Sequence, residues 1–197
     1  MKNFALLLRM VLLISTCLLV SQCASKKDRD HVVRISVPEQ KMALYRKGVR
    51  IAEFPVSTSK FGLGDRPGSN LTPLGKMEIA EKHGGGAPSG AVFKSRRWTG
   101  EILRPDAPGR DPIVSRILWL KGSEQWNRGA YGRYIYIHGT AEERNVGRPV
   151  SYGCIRMRSA DVIALYEIVG LGADVYILNL PLPPAEQSLE KGTQWNR

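Results

Sequence analysis

About one residue in six of this 197-residue chain is glycine or proline, and these fall between short runs in which apolar and polar residues alternate. Both residue types break long helices, and alternation with period two marks strands half-buried on one face. The pattern therefore predicts many short strands joined by tight turns. Val33, Ile35 and Val37 alternate with Arg34 and Ser36, and Met42 and Leu44 share a face of Lys41–Tyr45. The turn Arg46–Gly48 leads into a third run, Val49–Val56. Ser57–Gly75 reads as a loop, Lys76–Ala80 as a strand, and 91–112 as irregular. Ile113–Leu120 and Arg133–His138 read as strands, the first buried, and Ala173–Leu178 as the last. One segment has helical spacing: Ser159 as cap, Asp161 in the first turn, and Val162, Leu165, Tyr166 and Val169 as the apolar stripe. The expected fold is mostly β with one or two helices.

The ends of the chain carry a different signal. Lys2 and Arg9 precede an apolar run, Met10–Val20, too short for the roughly 20 residues that a membrane span needs. This matches a secretory leader. Val20-Ser21-Gln22-Cys23 is similar to a bacterial lipobox, with Gln22 where a small residue is usual. Lipid attachment at Cys23 and plain cleavage near Ala24 or Ser25 both fit. The expected organisation is a leader over 1–23, a tether over 24–30, one domain over 31–179 and a flexible tail over 180–197. Export to the periplasmic face of a cell envelope follows. The formal net charge of +11 then suits an anionic envelope polymer or lipid surface better than nucleic acid, for which the chain has no motif.

Either route leaves Cys154 as the one thiol of the domain, and an unpaired cysteine in an exported chain is a candidate reactive group. It lies in Ser151-Tyr152-Gly153-Cys154-Ile155-Arg156-Met157, downstream of Tyr136-Ile137-His138-Gly139-Thr140. A thiol attacks only as thiolate, so it needs a base or a positive charge nearby. His138 is the candidate base, and Arg156 adds positive potential. The consecutive N–H groups of Tyr152, Gly153 and Cys154 are candidates to meet an oxyanion. His31, His83 and His138 share no metal-binding spacing, so no metal site is expected. The glycine run after His83 lacks the phosphate-binding order and reads as a surface loop. Tyr131, Tyr134 and Tyr136 read as strand packing.

Taken together, the two motifs resemble the active-site signature of the L,D-transpeptidase family with its YkuD-type catalytic domain, in which His-Gly-Thr precedes Ser-His-Gly-Cys. The resemblance extends over about 31–179, including the turn at Thr72, Pro73 and Gly75 and the helix and strand after Cys154. It implies a YkuD-like β-sandwich of mixed sheets with capping helices, and a peptidoglycan enzyme that needs no cofactor. By position, Cys154 would be the nucleophile and His138 its base. The Gly139 carbonyl would orient the imidazole, Tyr152 and Gly153 would form the oxyanion turn, and Arg156 and Ser151 would bind substrate. The stem tetrapeptide would lose its terminal D-alanine and be joined to a neighbouring diamino acid, giving a 3→3 cross-link. Tyr152 stands where the family usually has a second histidine. Release of the acyl-enzyme by water, its transfer to a protein lysine, and a binding module without catalysis are the competing readings. The sequence sets no oligomeric state.

Overall fold

A computed structural model describes residues 27–184. The leader, Cys23 and the tail beyond 184 lie outside the described residues. Ten strands run in the order β1 (His31–Ser36), β2 (Lys41–Arg46), β3 (Val49–Pro55), β4 (Gly75–His83), β5 (Ala91–Lys94), β6 (Arg97–Ile102), β7 (Ile113–Gly122), β8 (Tyr136–Thr140), β9 (Ile155–Met157) and β10 (Asp174–Leu178). The helix α1 (Ser159–Ile168) lies between the last two strands. The architecture is mostly β and the sheet is mixed, with β1–β10 and β8–β9 parallel and the other pairs antiparallel. The arms of the expected sandwich are joined in one ten-stranded hydrogen-bonded sheet. Past the end of β3, Ser57 exchanges two backbone hydrogen bonds of 2.9 Å with Arg156 of β9, which brings the sheet round on itself. Pairing of this kind also protects an edge that would otherwise expose unpaired peptide groups.

The core explains the strand pattern. Val33 and Ile35 of β1, Met42 and Leu44 of β2, Leu118 and Leu120 of β7, Ile137 of β8 and Ile155 and Met157 of β9 are almost wholly excluded from solvent. They alternate with residues on the opposite face, as the pleat requires. Val162 and Leu165 of α1 and Val169 just beyond it close the core against β7 and β8.

Four expectations change. Residues 91–112 are not all irregular, since β5 and β6 form a hairpin there. Its turn residues, Ser95 and Arg96, have φ of 49° and 64°, a conformation usually marked by Asn-Gly or Asp-Gly. Ser159 is the first residue of α1 and not its cap; the Glu143 carboxylate accepts the Ser159 N–H at 2.7 Å. The tether is docked from Lys27 onward: Asp28 accepts the Gly170 N–H at 2.7 Å, and Lys27 pairs with Glu78 at 2.9 Å. The first residues of the tail are held too, by Leu182 N–H on Glu39 and the Pro183 carbonyl on Arg50.

The α1 cap supplied from a distant turn has a measurable consequence. Glu143→Ala removes the acceptor and the negative charge at the helix N-terminus, which costs about 1 kcal/mol in unfolding free energy. Denaturant titration reads this as a lower midpoint with the same slope, and an unchanged midpoint would contradict the capping role.

Candidate functional site

The parallel register of β8 and β9 assembles the site. Ile137 pairs with Ile155 and His138 with Arg156, so the next step back sets Tyr136 beside Cys154. The Tyr136 N–H donates to Cys154 Sγ at 3.4 Å, in keeping with that step. Ile137 and Ile155 point into the core. Tyr136, His138, Cys154 and Arg156 therefore share the other face, since side chains alternate along a strand. On the neighbouring β7, Ile117 lies opposite His138 and Trp119 opposite Tyr136. A bulge after Val114, with Ser115 at φ 68°, sets that register. Strand geometry places the Cα atoms of Cys154 and His138 about 8 Å apart, near enough for the two side chains to meet.

His138 is 6% exposed. Its Nδ1 is 2.8 Å from the Gly139 carbonyl, so in the neutral ring Nδ1–H donates and Nε2 keeps its lone pair. Burial pushes the imidazole down to about 4, and the nearby charge of Arg156 acts in the same direction. A side chain at Gly139 would put its Cβ 2.5 Å from the Val114 carbonyl, so β8 packs this closely on β7 only with glycine.

Burial pushes the Cys154 thiol up, against the opposing pull of the Tyr136 N–H and the charges of Arg156 and Arg133. The thiol donates to the Tyr134 carbonyl at 3.3 Å. Near neutral pH the site thus holds a protonated thiol and an uncharged imidazole. The thiol packs in an aromatic cluster with Trp119, Tyr131 and Tyr136. Trp119 stacks on Tyr131 with centroids 4.1 Å apart, and the Arg96 guanidinium lies 4.6 Å over Trp119. Tyr136 packs from β8 as expected, whereas Tyr131 packs from the turn before it and Tyr134, in the same turn with φ 59°, is half exposed; the strand expected over 133–138 begins only at Tyr136.

The turn before the thiol is tied from inside. Gly153 has φ +116°, which disfavours any side chain there, and its carbonyl accepts the Thr72 hydroxyl at 3.0 Å. Ser151 is fully buried; its hydroxyl donates to the Cys154 carbonyl at 2.6 Å and accepts the Gly153 N–H at 3.2 Å. Two expectations are corrected by this. Ser151 builds the turn and presents nothing to a ligand, and the Gly153 N–H is committed to it, which leaves the Tyr152 and Cys154 N–H groups for an oxyanion. Tyr152 is 56% exposed, with its ring 5.5 Å from Phe61 and its hydroxyl 3.1 Å from Lys60 Nζ.

Two buried ion pairs had no motif to announce them. Arg156 pairs with Asp111 at 2.8 Å, and Asp111 also accepts the Thr140 hydroxyl and the Ala141 N–H. Arg133 pairs with Asp65 at 2.8 Å and donates to the Leu71 carbonyl at 2.7 Å, fixing the 64–71 loop beside Gly153. An acidic residue before a buried strand, as in Asp111-Pro112, was the only hint of the first.

Residues 30–177 match the L,D-transpeptidase catalytic domain family, YkuD. The chain is 28% identical over 153 residues to "Probable L,D-transpeptidase YcfS" of Escherichia coli, covering 75% of this chain and 44% of that protein. It is 44% identical over 108 residues to YqjB of Bacillus subtilis, which carries the same family name, covering 55% and 52%. The chain thus spans about half the length of the curated relatives it matches. Among solved structures, it is similar in fold to an L,D-transpeptidase from Mycobacterium smegmatis, with TM-score 0.50 and 17% identity over 76% of this chain and 58% of that one.

The raised thiol makes a pH prediction. Only the thiolate reacts with iodoacetamide, and a raised pKa moves the thiolate population to higher pH. Alkylation of Cys154, followed by peptide mass spectrometry, should still be rising above about pH 9. A plateau near pH 7 would show a preformed thiolate and contradict the neutral pair.

Proposed function

This chain belongs to the L,D-transpeptidase catalytic-domain family, and from that premise we propose that it is a peptidoglycan L,D-transpeptidase with Cys154 as nucleophile. The observation that carries the reading is the shared face of β8 and β9. It sets an imidazole with a free Nε2 lone pair, fixed by the Gly139 carbonyl, two positions along the sheet from the thiol.

The neutral resting pair argues for proton transfer during attack, with His138 acting as general base. The Cys154 sulfur bonds to the carbonyl carbon of the third stem residue as Nε2 takes the thiol proton. The Tyr152 and Cys154 N–H groups meet the oxyanion. The bond to the terminal D-alanine nitrogen then breaks, and that nitrogen receives the proton from the imidazolium. In the second half, the side-chain amine of an acceptor stem attacks the thioester and loses its proton to His138. Sulfur departs and is reprotonated, leaving a 3→3 cross-link.

Arg156 serves this scheme as a positive charge held still by Asp111, acting on both the thiol and the imidazole. Tyr152 is compatible with a main-chain role, because its ring turns to Lys60 and Phe61. We further propose an envelope location facing the periplasm, with lipid attachment at Cys23 as the anchor, from the leader pattern alone.

Incubation with tetrapeptide-rich peptidoglycan, then digestion and mass spectrometry, tests the reading. Wild type should yield 3→3 dimers, and Cys154→Ala should lose them to background, a loss of at least about a thousandfold. Tripeptides without dimers would instead mean hydrolysis by water, an L,D-carboxypeptidase. If neither product forms, or if Cys154→Ala matches wild type, the enzymatic reading fails.

A further inference from the structure

We propose that Lys60, held against Tyr152, forms a carboxylate-binding subsite at the rim of the Cys154 turn. The charges around the thiol fall into two classes. Arg156 and Arg133 are mostly buried, and each is neutralised at 2.8 Å by its own carboxylate, Asp111 and Asp65. Lys60, like Arg96 over Trp119 on the other side of the thiol's cluster, has no acidic group within ion-pair distance among the described residues. The Lys60 ammonium rests instead on aromatic groups, 4.5 Å from the Tyr152 ring centroid and 5.2 Å from that of Phe61.

This placement is built into the turn. The Lys60 N–H donates to the Ser151 carbonyl at 3.1 Å, and the Phe61 N–H donates to Ser59 Oγ at 3.0 Å. Ser59 Oγ in turn donates to the Asn70 carbonyl at 2.6 Å. Lys60 is therefore pinned to the same loop that presents Cys154. One of its three ammonium N–H groups goes to the Tyr152 hydroxyl at 3.1 Å, which leaves two for an anion. The aromatic faces fix the cation and strip part of its water without cancelling its charge, so an incoming carboxylate meets an oriented donor. Arg156, with its guanidinium 6.0 Å from the same ring, strengthens the positive potential there while staying paired to Asp111.

The ligand class is a peptide with a free carboxylate close to the carbonyl that the thiol would attack, so the inference rests on the proposed function. Two carboxylates of a stem peptide satisfy the chemistry: the one on the terminal residue, and a second one on the side chain of the diamino acid. Lys60 would select substrates by charge, from its place against Tyr152, the residue that stands where the family usually has its second histidine.

Calorimetric titration of Cys154→Ala with synthetic tetrapeptides separates these possibilities, because binding is read without turnover. Three peptides suffice: one with both carboxylates free, one amidated at the terminus, and one amidated at the diamino acid side chain. Adding Lys60→Gln to Cys154→Ala should weaken the unmodified peptide by about tenfold, and Lys60→Arg should restore most of it. The amidation that makes binding insensitive to Lys60→Gln identifies the carboxylate bound. Equal affinities with and without Lys60→Gln, equal weakening of all three peptides, or no binding of any would overturn the subsite. Selective binding combined with no acyl-enzyme on the wild-type chain would overturn the proposed function and leave the subsite standing.

Discussion

The parallel register between β8 and β9 is the constraint on which the rest of this molecule depends. Ile137 and Ile155 lock it from the core side, where both are fully buried against α1 and the neighbouring strands. A slip of one residue would turn His138 inward and an isoleucine outward, so the hydrophobic core itself enforces the placement of the site. The sheet's return through Ser57 onto Arg156 tightens the same strand from its other edge. Stability and chemistry thus share one set of contacts, on opposite faces of a short strand pair.

The electrostatics follow from that burial. The buried imidazole and the half-buried thiol both favour their neutral forms, and the nearby arginines are each paired with a largely buried carboxylate. Breaking such a pair leaves an uncompensated buried charge, whereas forming it adds little net stability. Asp111 and Asp65 are best understood as holders of position: one fixes Arg156 beside His138 and Cys154, the other fixes the loop that borders the Gly153 turn. At the rim, where water returns, the Lys60 ammonium rests on aromatic faces and not on a carboxylate.

Much of this was legible in the chain because alternating runs such as Val33-Arg34-Ile35 and Tyr136-Ile137-His138 mark strands, with the aliphatic residues in the main core and Arg34, Tyr136 and His138 buried on the opposite face. The helix was legible from a different period, since Val162, Leu165 and Val169 recur at helical spacing and are buried. The hairpin of β5 and β6 was not, since Ser95 and Arg96 take left-handed conformations without the glycine that signals them, and β6 is exposed throughout most of its length. Asp111, Arg133 and Asp65 act on groups tens of residues away, which no local spacing encodes. Ser151 misled for a different reason: a serine beside a reactive thiol looks like a ligand contact, but its hydroxyl closes the turn from within. The glycine and proline content, by contrast, set the right scale for strands and turns from the start.

The central claim is that strand register alone brings the His138 imidazole to the Cys154 thiol as its base. The most direct test is the rate at which a carbapenem acylates Cys154, followed by intact-protein mass spectrometry at about pH 7, in wild type and in His138→Gln. The wild type should give one adduct on Cys154, and the variant should react at a rate at least about a hundredfold lower. Acylation of the variant at the wild-type rate would contradict the role of His138 as base.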